Sequence, residues 1–141
     1  MTLEQLVTYE QIRHTLATYI HAGDSDDALA YAATFTEDAI FEAPDFRLCG
    51  RAAIYDWKMK HTISATTAFR IHHVSSMLID LISANTAKAR SNWLVTTNIG
   101  TDLAGRYHDR VHKSEDGWCI AHRRVDILWR AHNSLLNAAT K

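Results

Sequence analysis

The apolar positions of this chain change their period once. Across residues 3–22, Leu3, Leu6, Val7, Ile12, Leu16, Tyr19 and Ile20 recur at intervals near three and four, with polar residues between them. That spacing predicts a long amphipathic first helix, ended by Gly23. Asp24 to Asp27 then offer N-caps for a shorter helix over 28–35, with Asp27 the favoured cap. Thr36, Glu37 and Asp38 break the pattern, and residues 39–43 read as a short strand stopped by Pro44. Gly50 precedes another helical stretch, from Arg51 to about Thr62, with Ile54, Trp57 and Met59 as its apolar markers.

From Phe69 onward the period is two. Residues 74–82 lead to a turn at Ser83, Ala84 and Asn85, and 86–98 form the next strand. In it Ala87, Ala89, Ser91, Trp93, Val95 and Thr97 fall on one face, and Lys88, Arg90 and Asn92 on the other, so one face is buried and one is wet. Gly100 and Gly105 bracket a turn into 106–112, where Arg106, His108, Arg110 and His112 share a solvated face and Tyr107, Asp109 and Val111 the opposite one. Asp116-Gly117 is the tightest hairpin signal and feeds a last strand that runs on to Trp129. Helices first and antiparallel strands afterwards predict an α+β fold with the helices on one face of a curved sheet. With 141 residues and no repeat, linker or low-complexity tract, a single domain over 1–141 is expected.

Composition narrows the function classes. Hydrophobic residues at 47% and charged ones at 22% are those of a globular chain rather than a disordered one. A formal net charge of −1, without a large Lys/Arg cluster, argues against nucleic acid or an anionic membrane as partner. No apolar run reaches the ~18 residues of a membrane helix, and the first residues lack a signal-peptide pattern, so a cytoplasmic location is expected. Cys49 and Cys119 are far apart with no CxxC spacing, which points to two core thiols and away from a disulfide framework or a thiolate metal site.

The candidate chemistry lies in two segments. One is the acidic run after the first helix, Asp24-Ser25-Asp26-Asp27, and the other is the adjacent pair His72-His73 at the start of the β region. A carboxylate and an imidazole on different segments can move a proton, because the acid fixes the ring tautomer and raises its basicity. Asp24 is read either as half of such a pair or as a helix cap. His72 and His73 point to opposite faces of a regular strand, so they are alternatives, and a bulge would change which one faces inward. Two adjacent histidines without a third ligand make a poor chelating pair, and no metal is expected.

Taken in order, these segments carry a resemblance. The first helix, Asp24-Ser25-Asp26-Asp27, Phe35-Thr36-Glu37-Asp38-Ala39-Ile40-Phe41, Gly50-Arg51-Ala52-Ala53-Ile54, His72-His73-Val74-Ser75-Ser76, Gly105-Arg106-Tyr107-His108-Asp109 and Asp116-Gly117-Trp118 together resemble the SnoaL-like branch of the nuclear-transport-factor-2-like superfamily, over about residues 5 to 130. The resemblance implies a cone-shaped α+β barrel, a bent antiparallel sheet wrapped around a long helix with a deep pocket at one end. Scytalone dehydratase, hexachlorocyclohexane dehydrochlorinase and bile-acid dehydratase are similar in placing an Asp after the first helix and a His on the first long strand. That pair removes a proton next to an activated carbon while a leaving group departs. Carried over, the Asp is Asp24 and the His is His72, with His73 beside it, and Tyr19 falls where the bile-acid enzyme has a tyrosine.

Two positions depart from scytalone dehydratase: Gly23 replaces a tyrosine before the Asp, and a second histidine falls near Thr97, where none stands. A one-base elimination or isomerisation is what those departures leave. The expected activity is therefore that of a cofactor-free lyase, dehydratase-like, or an isomerase. Asp24, His72 or His73 and Tyr19 would act on a hydrophobic, ring-containing small molecule, with Phe41, Trp57, Trp93, Thr97, Tyr107 and Asp109 as candidate pocket walls. Arg123 and Arg124 beside Asp126 read as surface ion pairs, and the tail with Leu135 and Leu136 caps the pocket or meets a partner subunit. Two non-catalytic readings compete: the small subunit of a ring-hydroxylating dioxygenase, for which the chain is short, and a protein that only binds an apolar ligand. The superfamily's habit of forming dimers or trimers through the open sheet face makes a homo-oligomer the expected assembly.

Overall fold

A computed structural model describes residues 1–63, 67 and 69–136. Helix α1 (Leu3–Asp24) opens on a reciprocal cap, in which the Thr2 hydroxyl accepts from Gln5 N and the Gln5 side chain accepts from Thr2 N. Its buried stripe is Ile12, Leu16, Tyr19 and Ala22, spaced by four, three and three, whereas Leu3, Leu6 and Val7 in the first two turns are exposed. The helix does not stop at Gly23 but runs through it to Asp24.

After a tight turn, in which Asp26 takes a left-handed conformation with φ of 57°, comes helix α2 (Ala28–Ala33), capped by the Asp27 carboxylate on Ala30 N at 3.0 Å. Phe35 is not helical. It starts strand β1 (Phe35–Ala43), and Thr36, Glu37 and Asp38 lie within that strand. Strand β2 (Phe46–Cys49) had no signal in the periodicity, since four residues are too few to show alternation. Helix α3 (Arg51–Lys60) buries Ile54 and Lys58.

Strands β3 (Ile71–Leu81), β4 (Thr86–Thr97), β5 (Gly100–Ser114) and β6 (Gly117–Arg130) complete a six-stranded sheet in the order β2-β1-β6-β5-β4-β3. All neighbours are antiparallel except β1 and β6, which run parallel. The sheet is curved and does not close, with β2 and β3 as its edges. Gly100 and Gly105 do not bracket a turn, because β5 begins at Gly100 and Gly105 lies within it. Gly105 is there for space: a Cβ would sit 1.9 Å from the Asp126 carbonyl oxygen and 2.6 Å from the Trp93 ring that lies across it. Gly117, with φ of 86°, makes the β5–β6 turn that the Asp-Gly pair predicts.

The helices pack on the concave face. The Thr15 hydroxyl donates to Trp118 O at 2.7 Å and ties α1 to β6, and the core around Ile12, Leu16, Phe35, Ile54, Val95 and Ile120 fills the closed end of the fold. Between the C-terminal half of α1 and the inner face of the sheet the packing leaves a cavity. Among the described residues no helix is long and apolar enough to cross a membrane.

Candidate active site

The end of α1 points its last residue at the start of β3. The Asp24 carboxylate accepts from His72 twice, from its backbone N at 2.8 Å and from ring Nδ1 at 2.5 Å, one bond to each carboxylate oxygen. Burial raises the Asp24 pKa, but the His72 hydrogen bonds and the nearby Arg70 charge outweigh it and hold the carboxyl below its ordinary 3.8. An ionised carboxylate only accepts, so Nδ1 carries the proton, and in the neutral ring Nε2 keeps a free lone pair. His72 lines the cavity.

The strand register explains why His72 turns inward. It pairs with the buried Val95, while His73 pairs with the exposed Leu94. A bulge does occur in β3, with Ser76 at φ 53°, but the register shift lies between Ser75 and Leu78, beyond both histidines. His73 instead faces out, its Nε2 3.0 Å from the Thr96 hydroxyl, and the structure does not bring it to Asp24.

A chain of charges supports the pair from the side. The Arg70 guanidinium lies 3.8 Å from Asp24 and donates to Gly23 O at 2.6 Å and to Asp26 at 2.8 Å. Asp26 also takes the Lys58 ammonium at 2.5 Å and Ile63 N at 3.1 Å. Burial raises the Asp26 pKa, but the bonds from Lys58, Arg70 and Ile63 leave it below 3.8. Neither Arg70 nor Lys58 stood out in the sequence. Lys58 had one legible signal, since it falls four residues after Ile54 on the buried face of α3.

The cavity walls are aromatic. Tyr19, Tyr31, Phe41, Phe46, Trp57, Trp93 and Tyr107 line it together with His61, His72, Lys58 and Arg70. The atom-free space of the cavity, including its open mouth, is about 720 Å³. Tyr19 and Tyr31 share a buried hydrogen bond of 3.0 Å between their hydroxyls, which uses one phenolic proton and leaves the other. Burial pushes the Tyr31 and Tyr107 phenols well above their ordinary range, so both stay neutral donors. His61 stacks on Trp57 with centroids 4.5 Å apart, and its Nδ1 donates to Trp57 O at 2.6 Å. Leu136, from the tail, closes part of the wall, held by Ser134 and Leu135 N on Asp102.

Three expectations need correction. Asp109 does not face the cavity: it grips Arg123 through two bonds of 2.7 Å, with side chains 0% and 1% exposed. Arg123 is accordingly no surface residue. Its guanidinium lies over the Tyr19 and Tyr107 rings at 4.2 and 3.8 Å and fixes them from behind the wall. Arg124, by contrast, makes an exposed pair with Asp126. Thr97 is buried against Asp102 at 2.9 Å and is absent from the lining, because its position near the end of β4 faces the anchored tail. Of the other expected wall residues, Phe41, Trp57, Trp93 and Tyr107 all line the cavity, as does Tyr19. Among the described residues no three His, Cys, Asp or Glu side chains converge as metal ligands.

A curved sheet around a long helix, with a pocket between them, defines a class of small α+β proteins. Residues 4–124 match the model of the SnoaL-like domain, and the chain belongs to that family. No curated protein matches it in sequence. Among solved structures it is similar to a candidate scytalone dehydratase from Novosphingobium aromaticivorans, with 28% identity and a TM-score of 0.80 over 98% of this chain and 99% of that one. It is also similar to Rv3472 of Mycobacterium tuberculosis, a protein of unknown function, with 25% identity and a TM-score of 0.80 over 97% and 84% of the two chains. Hexachlorocyclohexane dehydrochlorinase LinA-type3 from Novosphingobium barchaimii shares the fold at 13% identity, with a TM-score of 0.77 over 92% of each chain.

Proposed function

We propose that this protein is a cofactor-free acid–base enzyme, a dehydratase-like lyase or an isomerase, acting on a hydrophobic, ring-containing small molecule. The observation that carries the reading is the double grip of Asp24 on the backbone N and Nδ1 of His72, a residue that lines an aromatic cavity, which leaves Nε2 as the ring nitrogen to act as base. His72 takes a proton from a carbon next to a carbonyl or leaving group. The imidazolium then rests against the Asp24 carboxylate, which offsets its charge in a water-poor site. Tyr19 and Tyr107 supply hydroxyl donors for oxygen charge. Between the two reaction types, likeness to a candidate scytalone dehydratase supports dehydration.

The test is solvent-deuterium uptake, followed by proton NMR, across a panel of cyclic ketones and β-hydroxy ketones. The reading expects uptake at the carbon next to the carbonyl, or loss of water from the hydroxy ketones, and no such reaction with His72→Gln. Equal rates in wild type and variant would contradict it. We further propose a cytoplasmic homo-oligomer, a dimer or trimer joined through the outer sheet face. That face carries a shallow depression lined by His73, Leu94 and Leu128, with Ile71 exposed in the same strand as His73. Sedimentation velocity decides between that assembly and a monomer.

A further inference from the structure

An ammonium buried in the wall of a largely apolar cavity is expensive to place there unless it is paired or used. Lys58 is 4% exposed and lines the same cavity as His72. Of its three N–H donors, one goes to Asp26 at 2.5 Å and one to His61 O at 3.3 Å; among the described residues no acceptor takes the third. Its ring neighbour is Tyr31, whose centroid lies 5.7 Å from Nζ. Lys58 and His72 stand at the two ends of one chain of contacts that runs through Asp26, Arg70 and Asp24. A cation and a base are thereby held on one framework, facing one space.

We propose that Lys58 is the charged oxygen-binding group of this pocket, beside the neutral Tyr19 and Tyr107 hydroxyls, which makes an aryl or polycyclic ketone the chemical class it selects. The inference rests on the proton-abstraction reading only for its catalytic consequence, since binding selectivity is a separate claim. In the reaction the substrate's α C–H bond breaks and its proton passes to His72 Nε2. The C–H electron pair forms the carbon–carbon double bond of an enolate, and the carbonyl π pair moves onto the oxygen, where the third Lys58 N–H holds it. Burial pulls the Lys58 pKa below its ordinary 10.5 against the raising effect of Asp26. The ammonium is thus a readier hydrogen-bond donor than a solvated lysine.

The probes are acetophenone and α-methylstyrene, which have the same shape and differ in C=O against C=CH2. Binding is read from quenching of tryptophan fluorescence, because Trp57 and Trp93 line the cavity. Wild type is expected to bind the ketone at least about tenfold more tightly than the alkene, the size of one charge-assisted hydrogen bond. Lys58→Met should cut that preference by at least about fivefold, and His73→Ala, on the outer face, should leave it unchanged. If Lys58→Met fails to fold, the double variant Lys58→Met/Asp26→Asn removes the carboxylate left without its ammonium and gives the same reading. A wild type that does not discriminate, or a folded Lys58 variant that keeps the preference, overturns the proposal. Deuterium uptake at the acetophenone methyl, measured on the same samples, reports proton abstraction separately. Selective binding without uptake would count against proton abstraction from this ketone and leave Lys58's role standing.

Discussion

Asp24–His72 and Asp109–Arg123 are both carboxylate–base pairs that join separate elements around one aromatic wall. In the first, the side chains keep 18% and 24% of their surface, Asp24 holds the ring through one nitrogen, and His72 lines the cavity. In the second, both side chains are buried, both carboxylate oxygens are used, and the guanidinium lies against Tyr19 and Tyr107. Burial raises the cost of charge at both sites, yet the outcomes differ with valency. Burial lowers the Arg123 pKa, but the Asp109 charge and hydrogen bonds more than compensate, so Arg123 stays charged and cannot exchange a proton. An imidazole held through one nitrogen can act, whereas a guanidinium held through two can only support.

Variants of the two pairs should therefore fail differently. The largest effect is expected from His72→Gln, a loss of about 10²–10⁴ in the rate of proton abstraction with little change in melting temperature. Asp109→Asn should do the reverse. It leaves a buried guanidinium without its counter-charge, costs about 3–5 kcal/mol in denaturant unfolding, and lowers activity only as far as Tyr19 and Tyr107 shift. Replacing the whole pair, as Asp109→Leu with Arg123→Leu, should recover part of that stability relative to either single change, which a double-mutant cycle reads directly. A double variant no more stable than the singles would mean that Arg123 matters mainly through its ring contacts.

Smaller effects sharpen the contrast. The Asp24 and Asp26 pKa values lie below 3.8 in the folded chain, so their ionised forms stabilise it above that value, and this contribution is lost as pH falls through the lowered values. Wild type should accordingly lose melting temperature below pH 3.8 faster than Asp26→Asn, and the gap between them should close. His73→Ala, on the outer face, is expected to change unfolding free energy by no more than about 0.5 kcal/mol and the exchange rate by less than about twofold.

Much of this contrast was legible in the chain. Period-two spacing placed Trp93, Val95 and Tyr107 on the buried face, and the Asp-Gly turn placed β6 against β5. Strand parity separates His72 from His73 but does not say which of them faces in, because that depends on the bulge falling after Ser75. Strand parity puts Asp109 on the inward face and suggests a pocket wall, but periodicity gives direction without depth, and Asp109 is buried on Arg123 from β6 and absent from the lining. Lys58, Arg70 and His61 were missed because a lysine, an arginine and a histidine around a helix end and a loop ordinarily read as solvated residues. Only the turn at Asp26, which collects Lys58 and Arg70, turns them inward. Phe46 was missed with its short strand.

The most direct test of the account is the protonation state of His72 in the unliganded protein, read from the ring-nitrogen shifts in a long-range proton–nitrogen NMR spectrum at neutral pH. The account predicts the neutral tautomer with its proton on Nδ1 and an unprotonated Nε2, and a change of that pattern in Asp24→Asn. A His72 ring protonated at Nε2 alone, or a spectrum unaffected by Asp24→Asn, would contradict it.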